Sequence, residues 1–99
     1  MDLETVAKAL KELGHPTRLQ IYRSLVKAGA QGLPVGSLQS SLEIPGSTLT
    51  HHLSGLREAG LVLQVREGRV LNCIADYARL DGVIDYLTRE CCLNEEEQS

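Results

Sequence analysis

The spacing of apolar residues changes along the chain at Gly60, and that change sets the fold class. Before it, Leu, Val, Ile and Ala recur three and four residues apart, as in helices with one buried face. After it come two runs, Leu61 to Arg66 and Arg69 to Ala75, rich in Val, Leu and Ile and separated by Glu67-Gly68. A two-residue connection carrying Gly between two such runs reads as a β-hairpin. Counting outward from that turn pairs Arg66 with Arg69, Val65 with Val70 and Val62 with Cys73. At Asp76 the helical period returns.

The helical part divides at its breakers. Residues 2–13 read as an amphipathic helix, with Asp2 as N-cap and Leu3, Val6, Ala7, Leu10 and Leu13 at helical spacing. Gly14-His15-Pro16 ends it, and Pro16 opens a second helix through about Lys27, with Leu19, Tyr22, Leu25 and Val26 on one face. After a loop from Gly29 to Gly32, Pro34 opens a short third helix through Leu42. Ile44-Pro45-Gly46 is a tight break. The fourth helix, Ser47 to Ala59, buries Leu49, Leu53 and Leu56, and Gly60 terminates it. The last helix starts at the N-cap Asp76. Tyr77, Leu80, Ile84, Leu87 and Cys91 follow at alternating spacings of three and four, the seam of a helix packed on another helix. The expected class is mainly α with a β-hairpin wing, the winged helix-turn-helix order.

Composition fits this. The 99 residues make one domain, with no Trp, no Phe and three Tyr, so its core is aliphatic. We expect residues 1–92 to form one folded unit and 93–99 an acidic flexible tail. No run approaches the ~18 apolar residues of a membrane span, and Met1 to Leu10 lacks the pattern of a signal peptide, so a cytoplasmic protein with no membrane partner is expected. Three cysteines, an odd count, argue for free thiols. The net charge of −3 is unevenly spread. Between Gly14 and Ala75, Arg18, Arg23, Lys27, Arg57, Arg66 and Arg69 outnumber Glu43, Glu58 and Glu67, while Glu95, Glu96 and Glu97 crowd the tail. A polyanion would dock on the middle.

Several segments together resemble a known family. They are Leu13-Gly14-His15-Pro16-Thr17-Arg18-Leu19; Leu33-Pro34-Val35-Gly36-Ser37-Leu38; Leu42-Glu43-Ile44; Ser47-Thr48-Leu49-Thr50-His51-His52-Leu53; Leu56-Arg57-Glu58-Ala59-Gly60-Leu61-Val62; and Arg66-Glu67-Gly68-Arg69. In that order they resemble the ArsR/SmtB winged-helix repressors over about residues 3–90. The chain departs from the family at Pro45-Gly46, where a polar N-cap is usual, and at Asn72-Cys73, often Tyr-Tyr. Val35 to Leu42 has no Cys, His or Asp, and Asp76 to Glu90 has no His. The resemblance therefore implies the fold and duplex DNA as partner, and it does not imply a zinc or nickel sensor.

In a helix-turn-helix the second helix enters the major groove, which makes Ser47, Thr48, Thr50 and His51 the candidate readers. The bland alternative has Ser47 and Thr48 capping the helix and His51 merely solvated. His52 lies toward the buried side and reads as a hydrogen-bonded packing residue, and two adjacent His do not share a helical face as a zinc pair does. Arg66 and Arg69 flank the hairpin turn, either as a wing on DNA phosphates or as a soluble cross-strand pair. Arg57 serves either the helix dipole or a phosphate. Leu3, Val6 and Leu10 with Leu80, Ile84 and Leu87 form two stripes too apolar to leave in water, so a homodimer through the first and last helices is expected, on an inverted-repeat operator.

Cys91 and Cys92 are the least ordinary pair. Thiolates select soft ions. The resemblance implies a repressor released by a thiol-binding inducer, As(III) or Sb(III), held by Cys91 and Cys92 with Cys73 or a partner-chain Cys as third sulfur; no cofactor is otherwise required. The alternatives to that site are packing residues and, after them, sites of reversible oxidation. Two other functions were weighed. Catalysis finds no Cys-x-x-Cys, no Gly-rich phosphate loop and no nucleophile with a spaced base. A winged-helix module that binds only protein would lack a polar row on the fourth helix and arginines on the wing.

Overall fold

A computed structural model describes the backbone of residues 1–98 and the side chains of residues 1–95. In chain order the elements are α1 (Leu3–Leu13), α2 (Pro16–Ala28), β1 (Leu33–Pro34), α3 (Val35–Leu42), α4 (Gly46–Glu58), β2 (Val62–Glu67), β3 (Val70–Ala75) and α5 (Tyr77–Thr88). This is the expected winged helix-turn-helix with one strand added.

The helices start where their caps dictate. Asp2 Oδ1 accepts from Thr5 N at 2.8 Å, His15 Nδ1 from Thr17 N at 3.1 Å, and Asp76 Oδ1 from Arg79 N at 3.2 Å. Each satisfies a first-turn N–H that the helix cannot. At the far end of α4, Gly60 takes φ +76°. Its N–H reaches Arg57 O and that of Leu61 reaches Leu56 O, at 2.9 and 3.0 Å, a Schellman cap that drops Leu56 and Leu61 into the core together.

The core is aliphatic. Val6 and Ala9 of α1, Ile21 and Leu25 of α2, Leu38 of α3, and Leu49, Leu53 and Leu56 of α4 pack with Leu61, Val62, Cys73 and Val83. Two expectations fail here. Val6 is only 2% exposed, so it belongs to this core and not to a dimer stripe; α1 turns Leu3 and Leu10 outward and Val6 and Ala9 inward. Cys73, a candidate third sulfur, is fully buried on β3, the central strand.

The hairpin is shifted by two residues from the expected register. Val62 pairs with Ala75, Gln64 with Cys73, Val65 with Asn72, Arg66 with Leu71 and Glu67 with Val70. The loop is therefore Gly68-Arg69. Gly68 has φ +63° and Arg69 does not share the left-handed region. That is the Gly-first form of the tight hairpin turn, which requires Gly at the first of two loop positions, not the second. Arg66 and Arg69 consequently do not face each other. β1 adds a third strand antiparallel to β3, pairing Leu33 with Cys73 and Pro34 with Asn72, so the sheet order is β1-β3-β2. Pro34 thus ends a strand and caps α3 instead of opening it. A hydrogen bond from Asn72 Nδ2 to Gln31 O, 2.6 Å, ties the preceding loop to the same strand.

α5 stops at Thr88, short of Cys91, because Arg89 turns extended with ψ 135°, and Glu90 and Cys92 then take left-handed φ of 62° and 65°. Residues Leu93–Gln98 form a 3-10 turn; Ser99 lies outside the described residues. Among the described residues no helix is long and apolar enough to cross a membrane.

Candidate nucleic-acid interface

α4 divides cleanly into two faces. Leu49, His52, Leu53 and Leu56 are buried, and Ser47, Thr48, Thr50, His51 and Arg57 are exposed. The bland reading of Ser47 and Thr48 as caps does not hold: the N-cap is Pro45, and no side chain caps the helix. α3 likewise begins after Pro34 with no side-chain cap. The two helices of the helix-turn-helix thus keep first-turn N–H groups free, whereas Asp2, His15 and Asp76 occupy those of the other three. Free N-terminal donors carry partial positive charge and suit an anion.

The wing lies beside the start of α3. Pro34, Val35 and Gly36 face Arg66, Arg69, Val70 and Leu71 across an open cleft of about 390 Å³. Arg69 stands at the turn tip and Arg66 on β2, both exposed. Guanidinium groups and helix N-terminal amides on one cleft are the donors that grip a phosphate backbone.

Two of the named side chains are already engaged. Arg57 Nη1 donates to Gln64 Oε1 at 2.8 Å, and Gln64 Nε2 lies 3.6 Å from Cys73 Sγ. Arg57 therefore braces the end of α4 against the wing. His52, as expected, is a hydrogen-bonded packing residue: its Nδ1 accepts from Arg18 Nε at 3.1 Å, and Arg18 pairs with Glu12. Arg18 and Glu12 were not singled out in the sequence. The available signal was Arg18 inside the family-like run into α2.

The helix-turn-helix domain family matches residues 13–65, which run from the end of α1 into β2. Transcriptional repressor PagR of Bacillus anthracis is 35% identical over 88 residues, 88% of this chain and 85% of that protein. Transcriptional activator HlyU of Vibrio cholerae is 34% identical over 83 residues, 84% of this chain and 74% of that protein. Among solved structures, an ArsR-like transcriptional regulator from Rhodococcus superposes with a TM-score of 0.81 at 25% identity, covering 96% of this chain and 87% of that one. The chain belongs to the ArsR/SmtB family of winged helix-turn-helix transcriptional regulators. It is a DNA-binding regulator and not an enzyme.

Two further features of this ArsR-family regulator lie away from its helix-turn-helix. Cys91 and Cys92 are exposed beyond α5, with their sulfurs 3.0 Å apart. The hydrogen bond with Cys91 pushes the Cys92 thiol above its ordinary range. Burial does the same to Cys73. Among the described residues no three His, Cys, Asp or Glu side chains gather as a cation site, so Cys73 does not join the pair within one chain. The apolar face consists of Leu3 and Leu10 on α1 with Ile84 and Leu87 on α5, all exposed, and Leu80 half-buried beside them.

Proposed function

We propose that this ArsR-family protein is a repressor that binds an inverted-repeat operator as a homodimer through α1 and α5, and that As(III) or Sb(III) on Cys91 and Cys92 releases it. The observation that carries the DNA reading is the exposed row Ser47, Thr48, Thr50 and His51 on an uncapped α4, next to a cleft holding Arg66 and Arg69. The row reads base edges; the arginines and the α3 N-terminus hold phosphates. Arg57 supports the wing in place of a phosphate. The protein acts in the cytoplasm, where its operator lies.

The outward Leu3, Leu10, Ile84 and Leu87 support the dimer. The thiol pair supports an inducer in preference to a disulfide. Adjacent residues hold their Cα atoms about 3.8 Å apart, below the roughly 4.4 Å minimum of ordinary disulfides, so a bridging ligand strains the chain less. The third sulfur comes from the partner chain. Release by an inducer is the logic of a repressor.

The test is operator occupancy by fluorescence anisotropy, with arsenite titrated under a non-thiol reductant. Wild type should lose its operator; Cys91→Ser and Cys92→Ser should bind and stay bound; Cys73→Ser should respond normally. Occupancy unmoved by arsenite in wild type would sink the inducer and leave the DNA reading standing.

A further inference from the structure

His52 is the one charged or polar residue buried among the described residues, and it sits on the DNA-reading helix between His51 and Leu53. Around it the chain gathers all three of its histidines. The His15 ring centroid lies 4.7 Å from that of His52, and the His51 centroid 5.9 Å. Arg18 of α2 reaches across to His52 Nδ1, and Glu12 of α1 holds the same guanidinium. Glu12 also lies over Gly55, where any Cβ would collide with its carboxylate. One ion pair thus joins α1, α2 and α4, and its contact with α4 falls one residue from His51 and two from Thr50.

The hydrogen bond fixes the state of the imidazole. A guanidinium has only N–H groups to offer, so His52 Nδ1 must carry a lone pair and His52 must be neutral. A second proton would put N–H against N–H. It would also put a second positive charge against the Arg18 guanidinium. The charged and titratable groups facing His52 are His15 and Arg18 from α2 and its cap, His51 from α4 and Glu12 from α1; the last alone favours a charged ring. Burial and the neighbouring cations hold the His52 pKa below its ordinary 6.5.

We propose that Arg18, steadied by Glu12, is the positioning residue that sets the seating of the recognition helix through neutral His52, and that operator binding is therefore linked to deprotonation of His52. The inference rests on α4 being the DNA reader. Protonating His52 below its titration point breaks the contact, unseats α4 and lowers operator affinity by up to tenfold per pH unit, the limit for one proton.

The experiment measures affinity for an operator selected by wild type from a random duplex pool at pH 8, from pH 8 to pH 5, with circular dichroism at each pH to follow folding. The variants are His52→Asn, whose Oδ1 stands where Nδ1 stood and cannot titrate, and Arg18→Gln. Wild type should lose about tenfold or more by pH 5 while still folded. H52N should bind as wild type does at pH 8 and show no loss toward pH 5. R18Q should lose about tenfold at pH 8 and show a flattened profile. A wild-type profile that is flat, or that falls equally in H52N, overturns the proposal. If wild type selects no sequence at pH 8, the reading of α4 itself fails, which is a separate result.

Discussion

Ile84→Asp should split the dimer, and its cost can be worked from the exposed face. Leu3, Leu10, Ile84 and Leu87 leave 66, 41, 51 and 59% of their surfaces in water. Together that is about two fully exposed side chains per protomer. At about 2 kcal/mol for each, covering this face in both protomers yields about 8 kcal/mol. Association itself costs about 4–15 kcal/mol, so the proposed dimer through α1 and α5 cannot do without this face. The share of Ile84 is about 1 kcal/mol per protomer, and Ile84→Ala should raise the dimer Kd about thirtyfold. Aspartate also brings two carboxylates into the interface, each costing several kcal/mol without a partner. The total, about 5 kcal/mol or more, is three to four decades in Kd. Sedimentation velocity over a dilution series reads this directly, with circular dichroism to check that the monomer stays folded. A stable, unchanged dimer in the Asp variant would place the interface elsewhere.

Arg69→Ala should weaken binding to all duplexes about equally and reduce the slope of log affinity against log salt by about 1, as the proposed place of this turn-tip arginine on phosphate requires. Cys73→Ser should leave the arsenite response intact yet lower stability by about 1–3 kcal/mol in urea titration, because it sets a hydroxyl in the fully buried site below Gln64. Tyr22 is buried, and its hydroxyl has no partner among the described residues. Burial, then Asp76, pushes its pKa up to about 12 from 10.0. The unfolded chain therefore loses that proton first, and stability declines as pH rises from 10 to about 12. Tyr22→Phe should raise stability by about 1 kcal/mol at neutral pH and remove the Tyr22 part of that alkaline decline, as followed by thermal melts.

The helix order and the hairpin were legible because apolar spacing and breakers are local signals. Asp2, Pro16, Asp76 and Gly60 act within a turn of themselves, and each does in the structure what its residue type implies. What was not legible depends on partners far along the chain. β1 exists because Leu33 and Pro34 meet Cys73 and Asn72, nearly 40 residues away. The hairpin register turned on which loop position Gly68 would take, and composition alone allows either. Val6 and Leu10 are both apolar at helical spacing, yet only the docking of α1 on α2 and α4 decides that Val6 is core and Leu10 is surface. At the site, the exposure of Thr50 and His51 followed from the buried rhythm of Leu49, Leu53 and Leu56. The clamp of Glu12 and Arg18 on His52 joins three helices, and no spacing within one helix announces it.

The central claim, that α4 reads DNA sequence, is tested most directly by selection from a random duplex pool with wild type and with the Thr50→Ala/His51→Ala double variant. The account predicts that wild type enriches an imperfect inverted repeat with half-sites about 34–36 Å apart, while the double variant binds DNA without enriching any sequence. Enrichment of the same repeat, equally strongly, by the double variant would contradict it.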